Sequence, residues 1–381
     1  MIAEAFLACL LFLGYTYVGY PALMSALAAL RREPMRRRSG ELASVSVILV
    51  AHNEAKSIPG RLENLLALDY PRDRLEILLA SDGSTDGTPE RARAYEPAGV
   101  TVIAFETRRG KPAVLNDVVP KAKGEIVVLA DARQRFETEV VKMLVRSFAD
   151  PTVGAVSGEL MLSENAKGTS VGQGVGFYWR YEKFIRRSEA TLDSIPVVTG
   201  AIYAIRRHLF ETIPEDTLVE DMLIPLRIAR RGYRVVFEPR ARAWDRGPAT
   251  AREEFTRKVR TIAGNFQLFW REPWLLNPFQ NRLWLQTLSH KGLRLLGPLF
   301  LAGALGANLL LLDQPLYRWT LGAQIAFYLA ALGGYAARNA KRKVPLLGVP
   351  YVFCLLNWAT VVAFFRLATG RQNVTWEKAS T

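Results

Sequence analysis

Leu78-Leu79-Ala80-Ser81-Asp82-Gly83-Ser84-Thr85-Asp86-Gly87-Thr88 reads as a buried strand that stops abruptly in carboxylates, glycines and hydroxyls. Ile77 to Ala80 is apolar, and Thr88-Pro89-Glu90 opens a helix with proline in its first turn, where a missing N–H costs nothing. In an open parallel sheet, ligands bind beyond the carboxyl ends of the strands. Acidic and hydroxyl groups at that point can hold a ribose, a base edge or a metal. The plainer alternative is an ordinary strand-to-helix turn, since Asp, Gly and Ser are the usual turn formers. The ends of the neighbouring strands decide between the two.

Outward from this stretch the pattern alternates. Apolar runs at 45–51, 75–80, 100–105, 125–130 and 153–157 are separated by helical stretches at 55–68, 89–95, 112–122 and 137–149. Continuous apolar strands alternating with helices predict an α/β fold, a mostly parallel, doubly wound sheet covered on both faces. Residues 159–195 are less regular, with Gly168, Gly172, Gly174 and Gly176 before the aromatic-basic run Phe177-Tyr178-Trp179-Arg180-Tyr181. Further on, 197–205 reads as a strand carrying Thr199-Gly200, and Val219-Glu220-Asp221 opens an amphipathic helix ending at Gly232. Residues 234–238 read as another strand and 252–267 as a basic helix.

Half of the 381 residues are hydrophobic although 23% are charged, which suggests a polar globular part joined to very apolar segments. Residues 5–30, 293–312, 319–337 and 346–367 are apolar over spanning length, since about 20 residues at roughly 1.5 Å rise cross a hydrocarbon core. Positive charge follows the first of them rather than preceding it, which predicts an uncleaved anchor. The net charge of +14 is concentrated at span ends: Arg31, Arg32, Arg36, Arg37 and Arg38 in one cluster, Arg338, Lys341, Arg342 and Lys343 in another. That is the positive-inside pattern. It favours a cytoplasmic globular domain held at a cell membrane and argues against nucleic-acid binding. Pro345 and Pro350 make the last apolar segment a suspect for a re-entrant or interfacial course. The expected organisation is an anchor at 1–31, a globular domain at 43–270, an amphipathic interfacial helix at 273–291 built on Trp274, Phe279, Trp284 and Leu288, a membrane region at 292–370 and a tail at 371–381. Cys9 and Cys354 both sit in apolar spans, and His52, His208 and His290 are scattered, so a disulfide framework or a zinc site is not expected.

The polar residues at the strand ends carry the chemistry. The first strand ends in His52-Asn53-Glu54, the second in Ser81-Asp82 and the fourth in Asp131-Ala132-Arg133. A parallel sheet brings all three to one edge, where Arg108, Arg109 and Lys111 are candidate donors for a diphosphate. Carboxylates for a nucleoside and cations for its phosphates point to a nucleotide. The absence of a Gly-x-Gly-x-x-Gly or Walker loop argues against a dinucleotide or a P-loop site.

In order and spacing, Ala51-His52-Asn53-Glu54, Ser81-Asp82-Gly83-Ser84-Thr85-Asp86, Gly110-Lys111, Ala130-Asp131-Ala132-Arg133, Val198-Thr199-Gly200 and Val219-Glu220-Asp221 resemble the membrane-attached family 2 glycosyltransferases of GT-A fold. That group includes cellulose, hyaluronan, chitin and poly-N-acetylglucosamine synthases, and the resemblance covers essentially the whole chain. It implies that Glu54 and Asp82 hold the uridine of a UDP-sugar, that Lys111 supports that site with His52 and Asn53 beside it, and that Asp131 begins the Asp-x-Asp metal motif. It implies further that Asp221, with Glu220 next to it, is the catalytic base and that Thr199 and Gly200 line the acceptor pocket. The activity implied is inverting transfer to a polysaccharide or lipid-linked saccharide, with Mg2+ or Mn2+ as cofactor. Two departures stand out. Arg133 occupies the second Asp position, so it contacts the phosphates in place of a metal, or Asp131 binds the metal alone with the diphosphate. The Gln-x-x-Arg-Trp motif aligns with Arg257-Lys258-Val259-Arg260-Thr261, which retains only Arg260, a diphosphate contact. These departures keep open an alternative, a sugar-nucleotide-binding or assembly subunit with little turnover. Val374-Thr375-Trp376-Glu377-Lys378 faintly resembles a gating loop, or is an interfacial tryptophan anchor. Asp86 reads as part of the turn.

Overall fold

A computed structural model describes residues 1–31, 42–162, 170–245, 251–337 and 345–373. Arg32, Arg36, Arg37, Arg38, Gly168, Arg338, Lys341, Arg342, Lys343 and the 374–378 segment lie outside the described residues.

Eight strands form one sheet: β1 (Val45–Ala51), β2 (Leu75–Asp82), β3 (Val100–Phe105), β4 (Ile126–Asp131), β5 (Arg135–Phe136), β6 (Val153–Leu162), β7 (Ile202–Arg206) and β8 (Arg234–Asp245). The order is β3-β2-β1-β4-β7-β6-β8-β5. β3, β2, β1 and β4 are parallel, whereas β7 runs antiparallel to both β4 and β6. Side chains alternate across the strands. Val45, Val47 and Leu49 of β1 therefore join Ile77, Leu79, Ile126 and Val128 in one core layer. Ile48, Leu78, Ala80, Val127 and Leu129 face the other. Burial on both faces explains why these strands read as unbroken apolar runs.

Several expectations need correction. The stretch 159–195 contains a 23-residue helix, Ser170–Leu192. Its glycines and polar residues lower intrinsic propensity, and burial of Ile185 against Tyr20 and Met24 of the first apolar helix compensates. The strand expected at 197–205 is only Ile202–Arg206, because Val197 to Gly200 forms a loop. The single amphipathic helix expected over 273–291 is instead a 3-10 turn at Pro273–Leu276, a loop, and a helical turn at Trp284–Gln286. That turn runs through a π-turn at Thr287–Gly292 into the helix Leu293–Leu309. Trp274 and Leu275 are buried in the domain core rather than presented outward.

Among the described residues three helices are long and apolar enough to cross a membrane: Ile2–Leu30, Trp284–Leu309 and Leu347–Ala368. The fourth expected segment is a 22-residue helix, Pro315–Ala336, that is not among those three. Pro350 does not break the last helix, which is continuous from Pro345 to Ala368. Its Ala359 and Ala363 are fully buried with Leu218, Val259 and Ala263 of the globular domain.

A charged clamp joins helix Ser170–Leu192 to two of these apolar helices. Glu182 contacts His290 Nε2 at 3.1 Å and Lys291 Nζ at 3.3 Å, and it also accepts from Arg294. Glu189 accepts from Tyr20 at 2.5 Å and contacts His290 Nδ1 at 2.9 Å. His290 and both glutamates are buried. Glu182→Gln keeps the shape but leaves buried cations short of a countercharge. It is expected to lower stability by about 3–5 kcal/mol, measured as a lower melting temperature in detergent.

Candidate active site

The strand order reverses between β1 and β4, so a crevice opens at their carboxyl ends. Register pairs Val50 with Asp131, Ala51 with Ser81 and Asp82 with Phe105, which brings the three strand-end motifs to one edge.

The ends of β1 and β2 are laced together. Asn53 adopts a left-handed φ of 55°. Its N–H donates to Ser84 Oγ at 3.1 Å, and its Oδ1 accepts the Thr85 N–H at 2.8 Å. His52 Nδ1 lies 2.6 Å from the Asp82 carbonyl oxygen. The Glu54 N–H donates to Thr88 Oγ1 at 2.8 Å, and its carboxylate accepts from Ser57 at 2.6 Å. Asp86 accepts from the Ala55 N–H at 3.0 Å and from Thr88 Oγ1 at 2.5 Å, which makes it the expected turn residue.

Asp82 is buried, and both its oxygens are engaged. Oδ1 accepts the Arg109 N–H at 2.7 Å and Oδ2 the Gly110 N–H at 2.8 Å. Gly110 has φ 94° and ψ 156°, backbone open in practice only to glycine, and this turn aims its N–H at Asp82. Asp82 therefore holds the loop that delivers Lys111. The Arg109 side chain pairs with Asp117 at 2.9 Å. Arg133 is exposed.

Lys111 is the centre of the charge arrangement. Its Nζ lies 2.8 Å from Asp131 and 2.9 Å from Glu220, so it bridges the end of β4 to the start of helix Glu220–Arg230. Burial acts to lower the Lys111 pKa, but Asp131 and Glu220 together hold it well above the ordinary lysine value. Glu220, 7% exposed, is committed to this pair.

Asp221 has a different environment. Burial, reinforced by Glu220, raises its pKa to about 6 against the lowering influence of Lys111, Arg186 and Arg260. Its backbone oxygen accepts the Val198 N–H at 3.0 Å, and a Cβ on Gly200 would stand 3.0 Å from Asp221 Oδ2. The Thr199-Gly200 turn thus packs directly on this carboxylate. Arg260 is held in the same field by Glu220, Asp221 and Asp131, although burial lowers its pKa.

Two residues of this site carry no motif. Arg186 donates to Thr199 Oγ1 at 2.8 Å. Tyr203 is fully buried on β7, and its hydroxyl has no hydrogen-bond partner among the described residues. Burial, then Glu220, raises that hydroxyl well above the usual tyrosine pKa. Only the tertiary pairing of β7 with β4 brings Tyr203 here.

Among the described residues no three His, Cys, Asp or Glu side chains gather to hold a metal. Asp131, two-fifths exposed beside Lys111, offers one carboxylate. That fits the mode in which Mg2+ or Mn2+ is held by one or two carboxylates together with substrate phosphates, rather than by an all-protein cage.

Residues 46–213 match the description Glycosyl transferase family 2. They form a glycosyl transferase family 2 domain, and the fold around them is GT-A. It is 25% identical over 237 residues to poly-beta-1,6-N-acetyl-D-glucosamine synthase of Staphylococcus aureus (strain COL), covering 61% of this chain and 57% of that one. It is 28% identical over 248 residues to the probable glycosyltransferase YdaM of Bacillus subtilis, covering 60% and 57%. The matches thus span a little over half the length of these curated relatives. Among solved structures, the mannosyltransferase PcManGT from Pyrobaculum calidifontis, in complex with GDP-Man and Mn2+, has the same fold at a TM-score of 0.73 and 23% identity. That likeness covers 97% of this chain and 100% of that one.

Proposed function

We propose that the protein is an inverting glycosyltransferase. It moves a sugar from a UDP-sugar to a polysaccharide or lipid-linked saccharide at the cytoplasmic face of the membrane. The observation that carries this reading is the contrast between two adjacent carboxylates. Glu220 is tied to Lys111, whereas Asp221 stands beside the Thr199-Gly200 turn with its pKa raised to about 6. A general base works best with a pKa near the operating pH. Asp221 takes the acceptor hydroxyl's proton as that oxygen attacks the anomeric carbon from the face opposite the diphosphate. The bond to the diphosphate breaks as the new bond forms, so the anomeric configuration inverts.

On the donor side, His52, Asn53 and Glu54 flank the nucleoside pocket, with Asp82 shaping its floor through the loop at Arg109 and Gly110. Lys111 and Arg260 supply positive charge for the departing diphosphate. Asp131 would hold a divalent metal jointly with diphosphate oxygens, and such a metal supplies Lewis-acid stabilisation of the leaving group. Exposed Arg133, two residues after Asp131, adds a third cation to that edge.

Nucleotide release by the purified protein in lipid, screened over UDP- and GDP-sugars, tests the reading. UDP release from at least one UDP-sugar is expected. Release of GDP alone would move the donor to the class bound by the structural neighbour, and no release would favour a binding or assembly subunit. Chelation is expected to lower turnover at least tenfold and added Mg2+ or Mn2+ to restore it; full activity in chelator would assign the role to Arg133 and Lys111.

A further inference from the structure

We propose that Arg186 is a positioning residue for the transfer: it holds Thr199 and, through the Thr199-Gly200 turn, fixes the carboxylate of Asp221 against the acceptor pocket. This rests on Asp221 being the base. Arg186 Nη1 donates to Thr199 Oγ1 at 2.8 Å, while the Thr199 N–H donates to Ser157 Oγ at 2.9 Å. Thr199 is thereby gripped from helix Ser170–Leu192 on one side and from β6 on the other. One residue on, Gly200 touches Asp221, and one residue back, the Val198 N–H bonds the Asp221 carbonyl oxygen. Arg186 and Thr199 also line one small cavity with Trp179, Lys183 and Glu159.

The helix presenting Arg186 is itself held. Glu182 and Glu189, four residues before and three after, share its side of the helix and are buried in the clamp with His290 and Tyr20. Arg186 thus connects the membrane-facing clamp to the catalytic turn. Its Nε is buried without a hydrogen-bond partner among the described residues, a cost that a strut to one threonine does not explain. The charge also matters. The groups around Asp221 are Glu220 on its own helix, Lys111, Arg186 and Arg260 from three other helices, and Tyr203 on β7. Arg186 is one of the three cations that favour the ionised base.

The test uses the full-length protein in lipid with the UDP-sugar that the wild type turns over. Arg186→Gln is expected to lower kcat roughly 10–100-fold by misplacing the base. It is also expected to move the acid limb of kcat/KM upward by about half to one pH unit, with UDP affinity unchanged within about threefold. Arg186→Lys retains the charge but not the planar fork, so it is expected to keep the acid limb and to recover part of kcat. Thr199→Val removes the contact without removing charge and is expected to lower kcat about tenfold, which carries the test if Arg186→Gln does not fold. Wild-type kcat in Arg186→Gln or Thr199→Val would overturn the proposal, as would equal loss in the Gln and Lys variants with an unmoved acid limb. A wild type that turns over no UDP-sugar would instead sink the functional reading on which it depends.

Discussion

Asp221→Asn is expected to reduce turnover by roughly 10²–10⁴-fold, the usual contribution of a general base, while UDP still binds with about wild-type affinity. The neighbouring Glu220 does not substitute, because Lys111 holds it at 2.9 Å. In the wild type, kcat/KM should fall as pH drops below about 6, where Asp221 takes up its proton. Stability moves the other way. The folded state raises the pKa of Asp221 above the unfolded value of about 3.9, so folding favours the protonated form. Its ionisation therefore costs stability as pH rises from about 4 to 6, and the full cost is present at neutral pH. The asparagine variant should consequently melt at a temperature equal to or a few degrees above wild type, read by thermal unfolding in detergent at pH 7.5. An inactive variant that also melts well below wild type would mean a structural role instead.

Lys111→Met should damage folding and binding together. It leaves Glu220 buried without its cation and removes the partner of Asp131. Breaking a buried ion pair from one side costs about 3–5 kcal/mol, so a large drop in melting temperature is expected. On the proposed reading UDP affinity should fall at least tenfold, because Lys111 is a positive charge assigned to the diphosphate. Calorimetric titration with UDP at low temperature, where the variant is still folded, separates the two effects. Retained stability together with retained affinity would remove Lys111 from the centre of the site.

The parallel half of the fold was legible because β1, β2 and β4 are buried on both faces and flanked by turn chemistry, as the 77–88 stretch illustrates. The same logic identified the strand-end carboxylates, since a parallel sheet must bring them to one edge. Less was legible wherever tertiary contact overrides local preference. Helix Ser170–Leu192 is glycine-rich at its start and is stabilised by packing on Tyr20, Met24 and a charged clamp, none of which is a local signal. The 273–292 segment has interfacial composition, yet Trp274 and Leu275 serve the domain core.

Within the site, composition supplied the charges but not their pairing. Asp82 was legible as a strand-end carboxylate; that its two oxygens also accept the Arg109 and Gly110 amides, and so shape the loop that delivers Lys111, was not. The motif resemblance already singled out Asp221 over Glu220 as the expected base. What the fold adds is the pairing of Glu220 with Lys111 at 2.9 Å, which no motif encodes. Arg186 and Tyr203 come from elements distant in sequence, so only the fold brings them near Asp221.

The most direct test of the account is the anomeric configuration of the product. The purified protein in lipid is given an α-linked UDP-sugar that it turns over, and the new linkage is read by proton NMR before any further processing. A single displacement by a hydroxyl activated at Asp221 predicts a β linkage. An α linkage would contradict the account, because the configuration would then have been retained by a route in which Asp221 is not the base for a single attack.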